Sequence, residues 1–129
     1  MTTPTKITGP RAGAALQTIA MPSDTNVNGD IFGGWLMAQM DLGASVLART
    51  IAQGRVATIA VKDMQFQHPV HVGDVVSIFP ELLKKGRTSM TLNVAVRIYN
   101  AESGDERQVA SAQIIFVSID RNGRPRRIE

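Results

Sequence analysis

The 129-residue sequence contains no cysteine. That absence removes disulfides, thiolate nucleophiles, iron–sulfur clusters and cysteine-based zinc sites, and it suits a reducing cytoplasm. Aromatics are scarce, with one Trp, one Tyr and four Phe, so there is no stacking platform for single-stranded nucleic acid. The only histidines are His68 and His71. No acidic residue beside them forms a ligand cluster, and no metal site is expected. A Walker or dinucleotide-type glycine motif is missing, as is a serine in a nucleophile-elbow pattern. The longest apolar stretch, residues 31–48, contains Gln39 and Asp41 and carries Gly33-Gly34 near its start. A carboxylate at the middle of a bilayer is costly, so this stretch reads as a buried helix and no membrane partner is expected. The first dozen residues lack the apolar segment of a secretory signal and are broken by Pro4, Gly9 and Pro10.

The length suits one domain, large enough to bury roughly two-thirds of its unfolded surface. The net charge is +3, which invites a nucleic-acid reading until the charges are located. They sit in residues 121–129, where Arg121, Arg124, Arg126 and Arg127 face only Glu129; the remainder of the chain is balanced. A charge confined to a tail does not make a basic face, and no nucleic acid is expected as partner. Three regions follow: an N-terminal arm over 1–12, a domain over 13–120 and a basic tail over 121–129.

Residues 14–21 fit a short strand ended by Pro22-Ser23-Asp24, and 25–30 a turn-rich loop with an Asn-Gly pair. Residues 34–52 read as a helix stopped at Gln53-Gly54. It is apolar nearly all round, which predicts enclosure by other structure. Beyond Gly54 the period becomes two: strands are expected at 56–62, 75–83, 90–99 and 107–119, with a hairpin at Lys84–Arg87. One helix and a run of strands joined by short turns predict an α+β fold on an antiparallel sheet. One helix covers one sheet face only, so free edges and a mixed face favour oligomers.

Asp41 stands out as a carboxylate in the middle of an apolar helix. Desolvation there is expected to push its basicity toward general-base work, although a structural role is equally open to a lone carboxylate. Gly33 and Gly34, two turns earlier, leave backbone N–H groups unobstructed at a helix start, where an oxyanion is stabilised. Asn26 and Asn28 in the preceding loop can orient a water or simply form turns. Lys84-Lys85-Gly86-Arg87-Thr88-Ser89 can hold phosphates or be a solvated turn. Trp35, Met37 and Met40 are candidates for a pocket wall or for core.

The run from Met21 to Asp41, with its central Asn26-Val-Asn-Gly-Asp-Ile-Phe-Gly-Gly34, resembles the signature of bacterial YciA-type acyl-CoA thioesterases. The resemblance extends through Gly54-Arg55-Val56, Phe66-Gln-His-Pro-Val70, Val72-Gly-Asp-Val-Val76, Lys85-Gly-Arg-Thr-Ser89 and Val117-Ser-Ile-Asp120, roughly residues 14–127. It implies a hotdog fold, in which a curved antiparallel sheet wraps one long helix. It implies hydrolysis of acyl-CoA to free CoA and a carboxylic acid, with no cofactor beyond the CoA of substrate and product. It implies a homodimer with active sites at the interface, commonly a trimer of dimers. Asp41 then acts as general base or nucleophile, Asn26 positions water or thioester, and Gly33 and Gly34 polarise the carbonyl. Arg87, Thr88 and Ser89, with Arg121 and Arg124, are the corresponding CoA-phosphate contacts. A thiolate departs with little need of a general acid, so one base and an oxyanion hole suffice without Cys. The rival readings are a non-catalytic acyl-CoA-binding or sensor module and a hotdog acyl hydratase; the latter ordinarily needs a histidine, absent from this helix.

Overall fold

The computed structural model describes residues 13–129, and the expected N-terminal arm over 1–12 lies outside them. In chain order the elements are β1 (Leu16–Ile19), a 3-10 turn (Pro22–Asp24), α1 (Gly33–Ala52), β2 (Val56–Phe66), β3 (Val75–Lys85), β4 (Ser89–Tyr99) and β5 (Glu106–Ser118). The five strands form one antiparallel sheet in the order β1-β3-β4-β5-β2. All five strands pack against α1. The α+β fold expected from the pattern of elements is therefore what forms.

The alternation along β4 sets the core. Met90, Leu92, Val94, Val96 and Ile98 are buried, while Thr91, Asn93, Ala95 and Arg97 are only half-buried. Across the β4–β5 ladder the alternation is interrupted once, where Val109 is the extra residue of a bulge and Val109 and Ala110 are consecutively buried. Asn100 shapes the intervening turn by accepting the N–H groups of Glu102 and Ser103 at 3.0 and 2.9 Å.

The inward face of α1 is Leu36, Met40, Gly43, Ala44, Ala48 and Ala52, at helical spacing. At Gly43 the helix lies close against the sheet: a Cβ there would meet Ile78 Cγ2 at 2.6 Å and Cβ at 2.8 Å. The outward face differs from the enclosure predicted above. Met37, Leu42 and Val46 are 39%, 55% and 46% exposed, because one sheet covers one side of a helix and no element among the described residues covers the other.

The helix ends at Gln53-Gly54, as expected, and the C-terminal tail folds back against it. The helix stops on Gln53, which takes the left-handed conformation (φ 52°), while Gly54 serves a different need. A Cβ at Gly54 would lie 2.8 Å from Arg126 Nη2, so the glycine makes room for an arginine from the tail. That tail is ordered on the domain. Residues 120–124 turn back, Ile119 bridges Pro125, Arg126 N–H donates to the Ser118 carbonyl at 2.7 Å, and Ile128 is buried in the core at 6% exposure.

Replacing Gly43 with Val forces Ile78 or the helix to move, and overpacking of this kind costs about 1–3 kcal/mol. The expected outcome is a lower urea midpoint with an unchanged slope, read by circular dichroism; an unchanged midpoint would show that the helix can lift without loss.

Candidate active site

The start of α1 is held by its neighbours and left bare at its tip. Phe32 is the N-cap, in extended conformation, and no side chain caps the helix. Its N–H donates to the Asp24 carbonyl at 2.7 Å, and the N–H of Ile31 to the Val70 carbonyl at 3.0 Å. The helical ladder begins with Leu36 N–H on the Phe32 carbonyl at 3.2 Å, so the amides of Gly33, Gly34 and Trp35 precede it and present positive partial charge. Aromatic rings border these glycines. A Cβ on Gly34 would approach the Phe32 ring to 2.7 Å, and one on Gly33 would sit 3.5 Å from Phe66. Gly33 opens onto a cavity of about 240 Å³ whose apolar wall includes Ile31, Leu36, Phe66 and Val70.

In the loop before the helix, Asn26 does the work of a turn. Its Oδ1 accepts the N–H of Asn28 at 2.8 Å and of Asp30 at 3.2 Å, and its own N–H donates to the Asp30 carbonyl at 2.7 Å. The side-chain oxygen is thus committed, and only the Nδ2 donors are left for a ligand. Asn28 is engaged in this turn through its backbone. The loop is also tied across the fold: His71 Nδ1 lies 3.5 Å from Asp30 Oδ1, an acidic neighbour that the sequence spacing did not reveal.

Asp41 is half-buried and lies where α1 meets β2. Thr58 Oγ1 donates to its Oδ1 at 2.6 Å, and Oδ2 has no partner among the described residues. Thr58 is placed by a bulge in the β2–β5 register between Thr58 and Ala60. The pair is bordered by exposed apolar side chains, Leu42 next to Asp41 and Ile59 next to Thr58, 55% and 57% exposed. Thr58 was missed by sequence reasoning because it is one of several residues in an alternating strand, and only the register brings it to the helix.

The basic residues gather elsewhere. The Arg87 carbonyl accepts Ile128 N–H at 2.7 Å and the Thr88 carbonyl accepts Ser118 N–H at 2.7 Å, so the β3–β4 hairpin and the tail lie side by side. Gly86 closes the hairpin through Ser89 at 2.8 Å. Arg121 and Arg124 are exposed on the turn at 120–124, held by Asp120 Oδ1 on Arg124 N–H (3.0 Å) and by Arg55 on the Arg121 carbonyl (2.9 Å). Arg126 donates to the Ala52 carbonyl at 2.6 Å, at the C-terminal end of α1. Of the proposed pocket walls, Met40 is core, Trp35 packs partly against it and Met37 is exposed. Among the described residues no three His, Asp or Glu are grouped to hold a metal ion, and no helix is long and apolar enough to cross a membrane.

Comparison with known proteins bears out the resemblance. Residues 28–104 match the model of the thioesterase superfamily. The acyl-CoA thioester hydrolase YciA of Salmonella typhimurium is 47% identical over 120 residues, covering 91% of this chain and 90% of that one. A hexameric broad-specificity acyl-coenzyme A thioesterase, solved as an aspartate-to-alanine mutant, superimposes with a TM-score of 0.88 at 49% identity, covering 90% of this chain and 86% of that one. A hexameric hotdog-fold thioesterase of Campylobacter jejuni does so at 0.86 and 35%, covering 93% and 92%. The chain belongs to the thioesterase superfamily, and its fold is the hotdog fold.

Arg126 adds a charge-assisted bond at the negative end of the helix, worth about 1 kcal/mol. Arg126→Ala is expected to lower the urea midpoint by roughly 0.3–1 M, the shift that this free energy gives at an ordinary slope; an equal midpoint would show that the guanidinium contact adds nothing.

Proposed function

We propose that this chain is an acyl-CoA thioester hydrolase in which Asp41 acts as general base or nucleophile. The observation that carries the reading is the Asp41–Thr58 pair: one carboxylate oxygen is fixed at 2.6 Å and the other has no partner among the described residues, on a helix whose first amides carry no side-chain cap. Held by one oxygen, the carboxylate keeps a defined direction for Oδ2. That oxygen either takes a proton from the attacking water or attacks the thioester carbonyl itself. The amides of Gly33 and Gly34 stabilise the oxyanion. The Nδ2 donors of Asn26 position the water or the thioester.

These groups do not meet within one chain. Gly33 and Asp41 are eight positions apart on one helix, about 12 Å along its axis, too far to act on a single carbonyl. The basic hairpin and tail lie toward the opposite end of α1, whose 20 residues span about 30 Å. Two helices running antiparallel across a two-fold axis, overlapping over the first half of each, bring the N-terminal end of one beside Asp41 of the other, with the basic end of that second chain further along the axis. The surface available for such pairing is apolar: Met37, Leu42 and Val46 on the helix, Ile59 and Val61 on the edge strand β2. Covering it would also take Asp41, half-buried in the single chain, further out of water. The reading therefore includes a homodimer with interfacial active sites, assembled as a trimer of dimers like the hexameric relatives, acting in the cytoplasm. Arg87, Thr88 and Ser89, with Arg121 and Arg124, are its contacts for the CoA phosphates.

Thiol release from acyl-CoA tests the chemistry. Asp41→Asn is expected to lower kcat by about 10³-fold with KM changed only slightly; equal activity would remove Asp41 from the mechanism. Thr58→Val leaves the carboxylate in place but unanchored. It is expected to cost roughly tenfold in kcat, and a change confined to KM would assign Thr58 to binding instead.

A further inference from the structure

We infer that the cavity beside Gly33 is the acyl chamber of this enzyme and that Phe66 sets the chain length it accepts. The inference rests on the hydrolase reading above and concerns which substrates that site takes.

The cavity begins where the carbonyl is to be held. Gly33 is both the first residue of α1 and part of the cavity lining, and the Phe66 ring stands 3.5 Å from the position of a Gly33 Cβ. A carbonyl bound to the leading amides of the helix therefore has its acyl carbons running along that ring. The floor is fixed: Ile31, Leu36 and Val70 are 8%, 3% and 4% exposed and belong to the core. Phe66 is 51% exposed, a large apolar wall that can be altered without cutting the core. The strand is shaped to put it there, with register shifts at Thr58/Ala60 and Lys62/Gln65 and a left-handed residue at Asp63 (φ 51°) just before it. The lining is mixed: Asp30, Gln67 and His68 are its polar members, and Ile31, Leu36, Phe66, Pro69 and Val70 its apolar ones. Against the apolar part the two amides of a pantetheine arm would lose their hydrogen bonds, whereas an alkyl chain loses nothing there. As to capacity, a cavity of about 150 Å³ takes up benzene. By that scale about 240 Å³ suits an unbranched chain of up to roughly eight to ten carbons.

The experiment is a chain-length series, from acetyl-CoA to palmitoyl-CoA, followed by thiol release with the full chain and its Phe66→Ala and Phe66→Trp variants. Each methylene seated in the chamber is worth roughly a factor of four in kcat/KM. The wild type is expected to gain with length to about octanoyl or decanoyl and then level or fall. Phe66→Ala should move that break two or more carbons longer, and Phe66→Trp should move it shorter. The same break point in all three proteins overturns the assignment. So does a change of equal size at every length, which would place the common CoA arm in the cavity. Absence of turnover with every acyl-CoA in the wild type defeats the hydrolase reading itself, and is distinguishable because it involves no variant.

Discussion

The close seating of α1 on the sheet is the constraint from which the other features follow. A face of Gly43, Ala44, Ala48 and Ala52 has almost no side-chain thickness, so the helix axis approaches β3 and β4 until Ile78 touches its backbone. Small residues contribute little hydrophobic area of their own; what they permit is contact between larger neighbours, such as Met40, Met90 and Phe116, all fully buried. The same close approach brings Asp41 within reach of a threonine on the edge strand. A helix lifted by one methyl group would loosen the core and break the carboxylate's hydrogen bond to Thr58 together, so packing and candidate chemistry share one geometric cause.

Much of this was legible in the sequence, and the part that was not has a common reason. The alternation from Met90 to Tyr99, the turn residues and the helix stop are local signals, and the strands and the helix fall where those signals put them, within a residue or a few. Gly33, Gly34 and Asp41 were visible because their residue types are out of place in an apolar stretch. Thr58 was not, because a threonine in a strand is ordinary and its meaning lies in a contact 17 residues away. His71 and Asp30 are likewise joined only by tertiary structure. Gly54 was read as a stop signal, yet its requirement comes from Arg126, which no local pattern connects to it.

The site also shows how far one chain carries its own chemistry. Each part is preorganised by ordinary means: Asn26 by its turn, the helix start by the Asp24 and Val70 carbonyls, Asp41 by a hydroxyl. The parts are rigid but separated along a single helix. In the homodimer proposed above, symmetry supplies the missing adjacency without any further element, which is economical for a domain of this size.

The basic tail was first of interest for its charge, and its backbone proves as consequential. Arg126 seals the end of α1 and Ile128 fills the core beside the hairpin, the first of these contacts joining positions 74 residues apart. During synthesis the helix and the first strands leave the ribosome well before this closure can occur, with the apolar residues around the helix end still uncovered. These contacts can form only once residues 126 and 128 have been made, and a nascent chain halted before residue 126 lacks the arginine that closes the helix end.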